Sequence, residues 1–387
     1  MKDSRINVAI ISAGLVFLSY GLYADNFAAL LLSTSSFLLA TLIKYEYGRS
    51  IGVAATAALL SVTAAELVAP WFGPAARPTA RFDRSSDYGK KRYLRPTDVG
   101  RLPSRGVHSS RKLSPEGTEI YSIKYSIGDD GFRITSPQTH SNFRINFFGC
   151  SFTIGEGLND NETLPHFVNA SLPGASVKNF GFHGWGAHNA LAILQSHRDT
   201  RGTINFLLTS PWHVPRSACK PSWTQGSPRF ALASNGRVEL AGKCWEKGLL
   251  SLMERALKHS KLYKMWRYAQ ENKQNDSDFE LYFAIVRQIA EVSRSRQQKF
   301  IIGLLKARED SFGGTHYSNE SFRQRLEKIA DEVIDLTLAD TIEKLDKKFR
   351  IHELDPHPTA AANDKRAQIL VNVFEKYSPG TRLPVGQ

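Results

Sequence analysis

Three apolar runs near the N-terminus restrict what this chain can fold into more than any other feature of its sequence. They cover residues 6–24, 26–43 and 51–72, and each approaches the ~20 residues that a helix needs to cross the hydrocarbon core of a bilayer. The runs therefore predict three transmembrane helices within residues 1–72. A cleaved signal peptide is the alternative for the first run, but it leaves the next two runs unexplained.

The basic residues beside these runs predict an orientation. Lys2 and Arg5 precede the first run, Lys44 and Arg49 lie between the second and third, and the first connection offers only Asp25. Because positive residues stay on the cytoplasmic side, the N-terminus and the second connection are expected in the cytoplasm. Three spans then place the rest of the chain outside, which in a bacterium means an inner-membrane protein with a periplasmic domain.

The net charge of +13 lies entirely in residues 73–387. Anionic lipid headgroups, an acidic polysaccharide, or a solvated surface with no charged partner all fit such a surplus. The basic residues are dispersed, and no nucleic-acid-binding motif surrounds them. We therefore expect no nucleic-acid partner, and the sequence indicates neither a metal nor a cofactor and leaves the oligomeric state open.

The part after the apolar runs divides into a lead-in and a domain. Residues 73–143 are interpreted as a linker, with an extended tether rich in Pro, Arg, Ser and Gly over 73–110 and a short β-like stretch over 119–127. Residues 144–387 are interpreted as the folded domain. Residues 211–270 interrupt it as an insertion, which is expected to include a helix over 249–269.

Within the domain, short apolar segments alternate with segments of helical periodicity, which is typical of a parallel sheet covered by helices on both faces. The predicted strands are Ile145–Phe148, Val177–Phe180, Ile204–Leu208 and Phe300–Leu305. The predicted helices are Thr163–Ala170, Ala187–Arg198, Asp278–Arg294, Glu320–Ile329 and Ala360–Tyr377. The fold class is therefore α/β.

Ser151 directly follows the first predicted strand, in the stretch Gly149-Cys150-Ser151. A serine at the carboxyl edge of a sheet exposes its hydroxyl. A helix is expected to begin a few residues later, so that the backbone N–H of the serine lies beside a helix start, where it can stabilise an anion. Taken alone, this stretch is equally typical of an ordinary turn with a capping serine.

A glycine-rich loop follows the second predicted strand, from Asn179 to Gly186. Glycines there let the backbone approach a substrate closely. A simple strand-to-helix turn is the alternative, and the order of the glycines does not match a dinucleotide-binding loop.

His357 lies between two prolines in Asp355-Pro356-His357-Pro358, which is expected to be a loop directly before the last predicted helix. Packing alone gives little reason for a histidine there, whereas a general base held in one orientation by a nearby carboxylate suits the position. The sequence thus indicates a nucleophile, a glycine-rich loop and a base at one edge of the sheet.

These three stretches together resemble the motif blocks of the SGNH/GDSL hydrolase family. Residues 149–153 resemble its Gly-Asp-Ser block, residues 179–184 its second block, and residues 355–358 its last block, in which one or two residues separate an Asp from a His-Pro pair. The resemblance covers roughly residues 144–377. It implies a flavodoxin-like, three-layer α/β/α domain with a parallel sheet, and ester chemistry.

The resemblance also implies roles for particular residues. Ser151 would be the nucleophile, His357 the base and Asp355 the orienting carboxylate, while the backbone N–H groups of Ser151 and Gly184 would form the oxyanion hole. The family's Gly-x-Asn-Asp block is missing after the third strand. His213 is the candidate for the lost oxyanion donor, although a packed or solvent-facing histidine fits the position equally.

Three functions remain open at this point. The first is hydrolysis of an O-acyl ester, such as an O-acetyl group, on a cell-envelope glycan or lipid. The second is transfer of the acyl group to an envelope polysaccharide by the same residues. The third is a glycan-binding module without catalysis, which the missing block favours and the Ser151, His357 and Asp355 set disfavours.

Cysteine usage is consistent with an exported domain without establishing one. Cys219 and Cys244 flank a loop-like stretch and would form one disulfide in an oxidising compartment. Two unpaired thiols are the alternative, because spacing alone does not show that the two Cα atoms approach. Cys150 stands apart from this pair, beside Ser151, and is expected to be free.

Overall fold

The computed structural model describes residues 33–36, 58–68, 79–90, 94–135, 141–196, 198–246, 257 and 260–378. The chain divides into two compact units. One comprises Met1–Arg77 and Lys247–Gln270, and the other comprises Pro78–Glu246 and Glu271–Gln387. The larger unit carries all the features of the functional site described below.

The three predicted membrane spans fall mostly outside the described residues. Within them, residues 33–36 and 58–68 are helical. No helix among the described residues is both long enough and apolar enough to cross a bilayer.

The strands of the larger unit are β1 (Arg81–Phe82), β2 (Leu94–Thr97), β3 (Gly100–Pro103), β4 (Gly106–Leu113), β5 (Glu119–Ile127), β6 (Phe143–Gly149), β7 (Ala175–Gly181), β8 (Ile204–Thr209), β9 (Pro228–Leu232), β10 (Val238–Lys243), β11 (Lys299–Leu304), β12 (Glu332–Asp335), β13 (Arg350–His352) and β14 (Asp355–Pro358). The helices in the described ranges include α1 (Asp87–Lys90), α2 (Ser151–Ile154), α3 (Leu164–Ser171), α4 (Ala187–Gln195), α5 (Val214–Ser217), α6 (Lys261–Asn272), α7 (Asp276–Ser295), α8 (Asn319–Glu327) and α9 (Ala360–Phe374).

A five-stranded sheet in the order β12-β11-β8-β6-β7 forms the centre of the unit. Every neighbouring pair in it is parallel. Adjacent residues of one strand point to opposite faces, so that Phe147 belongs to one apolar core and Phe148 to the other. Helices α4, α7 and α8 cover one face, and α3 and α9 cover the other. The predicted three-layer α/β/α arrangement is therefore confirmed.

The bounds predicted for four strands of this sheet and for the five helices that cover it agree with the structure to within a few residues at each end. The fifth strand, β12, was not predicted. It lies at the edge of the sheet, and its residues are half-buried or exposed. An edge strand needs no continuous apolar run, so the pattern that identified the other four strands is weak there.

The prediction of an extended tether over residues 73–110 is wrong where the structure describes them. The described residues of 81–113 include α1 and strands β1 to β4. Strands β1 and β4 make an antiparallel sheet together with β5, and β2 pairs with β3. These strands belong to the same compact unit as the parallel sheet. The reason is visible in β4, whose buried positions include Ser110 and Lys112. Polar residues that face inward hide the alternation on which strand prediction depends.

The predicted insertion divides between the two units. Residues 211–246 contain α5 and the antiparallel β9–β10 hairpin and belong to the larger unit. Of the helix predicted over 249–269, residues 249–256, 258 and 259 lie outside the described residues, and α6 begins at Lys261. Cys219 and Cys244 form a disulfide with their Cα atoms 5.3 Å apart, as predicted. Cys150 is free and buried.

Candidate active site

The site lies where β6 ends. Gly149 is the last residue of that strand, and Ser151 begins α2, a helix of a single turn, so the helix starts at the serine rather than some residues after it. A Cβ atom at position 149 would lie 2.1 Å from Oγ1 of Thr153, so only glycine allows the chain to turn this tightly. The turn leaves Ser151 at the carboxyl edge of the sheet, with its side chain nearly buried.

Asp355 and His357 lie in β14 rather than in the loop that the sequence indicated. Strand β14 pairs antiparallel with β13, with His352 opposite Asp355. Thr359 follows and caps α9, its side chain accepting from the N–H of Ala362. The short ladder and the capped helix hold the Asp-Pro-His-Pro segment on both sides, so the two side chains come from a rigid element.

The structure brings Ser151, His357 and Asp355 together. Nε2 of His357 lies 2.8 Å from Oγ of Ser151, although the two residues are 206 positions apart. Nδ1 of His357 contacts Oδ1 of Asp355, which also accepts the backbone N–H of His357 at 3.2 Å. An ionised carboxylate can only accept, so Nδ1 carries a proton and the neutral ring accepts the serine hydroxyl at Nε2.

A buried lysine joins the Asp355 carboxylate to a second one. Lys112, from β4, places Nζ 2.8 Å from Oδ2 of Asp355 and 2.8 Å from Oε1 of Glu156. Asp355 is fully buried, and Glu156 and Lys112 nearly so. Isolated charges at such depth are costly, and here each one has a partner of opposite sign.

Glu156 also contacts two histidines. Its Oε2 lies 2.7 Å from Nδ1 of His183 and 3.5 Å from Nε2 of His357. The second contact is on the same ring nitrogen that meets Ser151. Glu156 therefore lies where it can stabilise a proton that arrives on His357.

Backbone contacts hold the loop that carries Glu156. The guanidinium of Arg133 donates to the carbonyls of Ile154 and Gly155, both at 2.8 Å, and to that of Leu158 at 2.7 Å. Oη of Tyr125 accepts the N–H of Gly157 at 3.0 Å. Arg133 and Tyr125 belong to the segment before β6, so this segment shapes the site as well as contributing Lys112.

The charged groups in this network shift one another's pKa values. Burial opposes the charged form of each group, but the neighbours outweigh it. His357, His183 and Lys112 hold the pKa of Glu156 well below its usual value. His357 and Lys112 together lower the pKa of Asp355. The two carboxylates raise the pKa of Lys112. The two carboxylates are therefore ionised at neutral pH, and the lysine is protonated.

His357 itself experiences opposing influences. Burial lowers the pKa of its imidazole, and the Lys112 ammonium lowers it further, while Glu156 and Asp355 raise it. The carboxylates prevail, so the pKa of His357 is raised above its ordinary value. Protonated His357 is thus favoured by two carboxylates on opposite ring nitrogens.

Glu156, Asp355 and His357 also offer ligand-type atoms that lie within 4.8 Å of one another. Such a set can hold a metal ion in other surroundings. Here the ammonium of Lys112 already contacts both carboxylates. The lysine supplies the positive charge that a metal ion would bring, so the set is an ion-pair network.

The predicted glycine-rich loop meets the same edge of the sheet. The side chain of Asn179 donates to the carbonyl of Thr153 at 3.0 Å and accepts the N–H of Gly181 at 3.0 Å, which ties the end of β7 to α2. Gly184 has φ +72°, a conformation that favours glycine, and it adjoins His183. Its role as an oxyanion donor remains a prediction.

His213 is buried, in a 3₁₀ turn after β8. Its Nδ1 lies 3.0 Å from Oγ1 of Thr209, which in turn contacts Oη of Tyr282 at 2.6 Å. Burial and the charge of Arg216 lower the pKa of His213 well below its usual value, so the ring is neutral. Its Nε2 is buried with no hydrogen-bond partner among the described residues.

Three residues of the site were missed by reasoning from the sequence. Glu156 follows Ser151 closely in the sequence, but nothing around it identifies it as a partner of His357. His183 was noted only as part of the glycine-rich loop. Lys112 lies in the segment interpreted as a linker. An isolated basic residue is usually solvated, and only the fold shows that this one is buried.

The unit is thus an α/β/α protein with a serine, a histidine and an aspartate joined at the carboxyl edge of its sheet. Solved structures similar to it are lipolytic proteins of the G-D-S-L family and esterases. The chain is 12% identical to a lipolytic protein of this family from Desulfitobacterium hafniense, over 60% of this chain and 99% of that one, with a TM-score of 0.35.

Two further matches are of the same kind. A member of the family from Veillonella parvula is 14% identical, over 60% of this chain and 99% of that one, with a TM-score of 0.36. A psychrotrophic esterase from Pseudoalteromonas sp., inhibited by monoethylphosphonate, is 11% identical, over 60% of this chain and 97% of that one, with a TM-score of 0.34. No family model and no curated protein matches the chain.

The contact between Glu156 and His357 predicts a change in pH dependence. The Glu156→Gln variant removes the negative charge nearest to Nε2, so the pKa of His357 falls. The base must be neutral to act, so the acidic limb of the kcat/KM profile for p-nitrophenyl acetate should move to lower pH. The turnover number should also fall, because the protonated ring loses a partner.

The exposed Glu327, in α8, gives a matched control, since Glu327→Gln removes the same charge outside the network. Its profile should overlay that of the unmodified protein. Circular dichroism of both variants establishes that they are folded. A folded Glu156→Gln protein with an unmoved acidic limb would contradict this account of the site.

Proposed function

We propose that this chain is a serine esterase that cleaves an O-acyl ester of a cell-envelope glycan or lipid. The observation that carries the proposal is the continuous contact from Oγ of Ser151 through the ring of His357 to Asp355. A hydroxyl, a neutral imidazole and a buried carboxylate in this order form the arrangement that activates serine for acyl transfer.

The reaction follows from the protons on these atoms. Oγ of Ser151 attacks the ester carbonyl while Nε2 of His357 takes the hydroxyl proton. The tetrahedral intermediate then collapses, its C–O bond breaks, and His357 returns the proton to the leaving alcohol. Water attacks the acyl-serine by the same route and releases the carboxylic acid. Glu156 and Asp355 stabilise the protonated ring in both halves.

The negative charge on the intermediate requires hydrogen-bond donors. We assign the backbone N–H groups of Ser151 and Gly184 to this role, since each follows a neighbouring strand at the same edge of the sheet. We also assign Nε2 of His213 as a third donor in place of the missing asparagine. Support comes from its neutral, buried ring with an unpartnered nitrogen.

We further propose that the three N-terminal apolar runs anchor the chain in the inner membrane, with the site on the outer side. The distribution of Lys and Arg around the runs supports this orientation. The disulfide between Cys219 and Cys244 agrees with an oxidising compartment. An esterase held there would meet the acylated glycans and lipids of the envelope.

Replacing the nucleophile tests the central proposal. Ser151→Ala should lower the turnover of p-nitrophenyl acetate to the level without enzyme, and His357→Ala should do the same. Asp355→Ala should be milder, because this residue orients the base and takes no proton itself. A serine-directed phosphonate should label the unmodified protein and leave Ser151→Ala unlabelled, as followed by mass spectrometry.

Ser122, a surface serine in β5, supplies the control, since Ser122→Ala removes a hydroxyl outside the site. That variant should retain both turnover and labelling. Near-normal turnover by a folded Ser151→Ala protein would refute the proposal. Absence of labelling in the unmodified protein would favour a glycan-binding module without catalysis.

The assignment of His213 makes a separate prediction. His213→Ala should lower kcat for p-nitrophenyl acetate on the order of 10²–10³-fold with little change in KM, because an oxyanion donor acts on the transition state. His213→Asn restores a donor and should recover part of the rate. Equal turnover by a folded His213→Ala protein would remove this residue from the oxyanion hole.

The membrane topology is tested with reporter fusions. Alkaline phosphatase, which is active only outside the cytoplasm, should be active when fused after residue 80. A fusion after residue 47, in the second connection, should be inactive although equally expressed, because positive residues hold that connection inside. The reverse pattern would overturn the orientation.

A further inference from the structure

A cavity of about 640 Å³ opens beside Glu156 and Gly184, and its volume is within the range of sites for small ligands. Five aromatic side chains line it: Phe82, Tyr88, Phe182, Trp185 and Trp223. Polar groups stand between them, among which are Arg101, Gln225 and Ser227. No part of the mechanism above uses these aromatic rings or these three polar residues.

The cavity reaches the charged network around His357. Glu156, His183 and Gly184 belong to its wall. Glu156 lies 3.5 Å from Nε2 of His357, the nitrogen to which the proposed reaction assigns the return of the proton. Gly184 is assigned to the oxyanion hole. A molecule in the cavity would therefore have one end beside these two residues, next to the proposed position of the ester bond.

Trp223 is the most exposed of the aromatic residues, with 62% of its surface accessible. It lies over Gly184, because a Cβ atom at position 184 would be 2.9 Å from its Cδ1. An exposed indole at the mouth of a cavity offers a flat apolar surface that a ligand can cover. Its position next to the oxyanion loop means that such a ligand would lie beside the reacting carbonyl.

The segment that carries Trp223 is held firmly. The Cys219–Cys244 disulfide connects its start to the end of β10. The N–H of Gly226 donates to the carbonyl of Cys244 at 2.9 Å, and the N–H of Cys244 donates to the carbonyl of Ser227 at 2.8 Å. Nε1 of Trp245 donates to the carbonyl of Pro221 at 3.2 Å. These contacts fix the segment that carries Trp223 before a ligand binds, which lowers the entropy cost of binding.

The chemistry of the lining discriminates between kinds of alcohol. A pyranose ring has a face of C–H groups that stacks on an indole, and a rim of hydroxyls that need donors and acceptors. Trp223 offers the first, and Arg101, Gln225 and Ser227 offer the second. A fatty chain would leave the hydrogen-bonding groups of Arg101, Gln225 and Ser227 unused.

We infer that this cavity is the subsite for the sugar ring of an O-acylated saccharide, with Trp223 as its stacking platform. The inference rests on the proposed esterase function and narrows its substrate from glycan or lipid to glycan. The ester oxygen of the sugar points to His357, and the ring extends along the aromatic wall. Because the leaving alcohol occupies this subsite, a sugar acceptor in the reverse reaction would occupy it too.

Binding without turnover gives the direct test. The full-length Ser151→Ala protein is titrated with 6-O-acetylglucose and with a mono-O-acetylated chitobiose by calorimetry, since both keep free hydroxyls. Adding Trp223→Ala should raise Kd roughly ten-fold, the loss expected for one stacked ring. Adding Trp223→Phe should restore most of the affinity, since a ring remains. Trp266, which is also exposed and is not part of this cavity, is the matched control, and Trp266→Ala should leave Kd unchanged.

Turnover gives a second measurement in the otherwise unmodified protein. The ratio of kcat/KM for the acetylated saccharide to that for ethyl acetate, whose alcohol is too small to reach Trp223, should fall roughly ten-fold in Trp223→Ala. Most of the change should be in KM.

The outcomes separate the two proposals. Saccharide binding by Ser151→Ala that is unaffected by Trp223→Ala, or no saccharide binding at all, overturns the subsite. A Trp223-dependent affinity for a diacylglycerol micelle rather than for the saccharide overturns it as well. Failure of the phosphonate to label Ser151 overturns the esterase, whereas Trp223-dependent saccharide binding would still support the subsite.

Discussion

The ion pairs between the ammonium of Lys112 and two buried carboxylates are the interaction on which the rest of the site depends. The ammonium lies between the carboxylates of Asp355 and Glu156, at 2.8 Å from each, with all three groups nearly or fully buried. Without it, two like charges would share a dry space and one of them would take up a proton. With it, both remain ionised, and both favour the protonated form of His357. The lysine thus sets the electrostatic state in which the histidine can work.

The site is assembled from segments far apart in the sequence, and the sheet is what brings them together. Parallel strands end at one edge, so the turn after β6 and the loop after β7 are neighbours there. Strand β14 reaches the same place with Asp355 and His357. Strand β4, which precedes β6 in the sequence, contributes the ammonium of Lys112. Each contribution comes from a strand or from a turn held by buried hydrogen bonds, which is what a site with fixed distances requires.

The sequence was sufficient for features that depend on short-range pattern. The apolar runs of β6, β7, β8 and β11 and the motifs around Ser151 and His357 predicted the α/β/α fold and the meeting of Ser151, Asp355 and His357. The sequence was insufficient where the fold buries residues that are usually exposed to solvent. Lys112 looks like a solvated charge in a linker, and Glu156 like a loop residue, because the nearest charged partner of either lies 27 or more positions away in the sequence. Strand β12 was missed because none of its side chains is buried, unlike those of β7 at the opposite edge.

The disulfide between Cys219 and Cys244 gives the side of the cavity that carries Trp223 a covalent link. Ser151, His357 and Asp355 are joined by hydrogen bonds alone, and none of these contacts needs an oxidant. If the proposed subsite holds the sugar ring, a reductant would remove one support of the stacking platform and leave the contacts of the nucleophile and its base in place. Selectivity among esters would then respond to the redox state of the surroundings, and turnover of small esters would not.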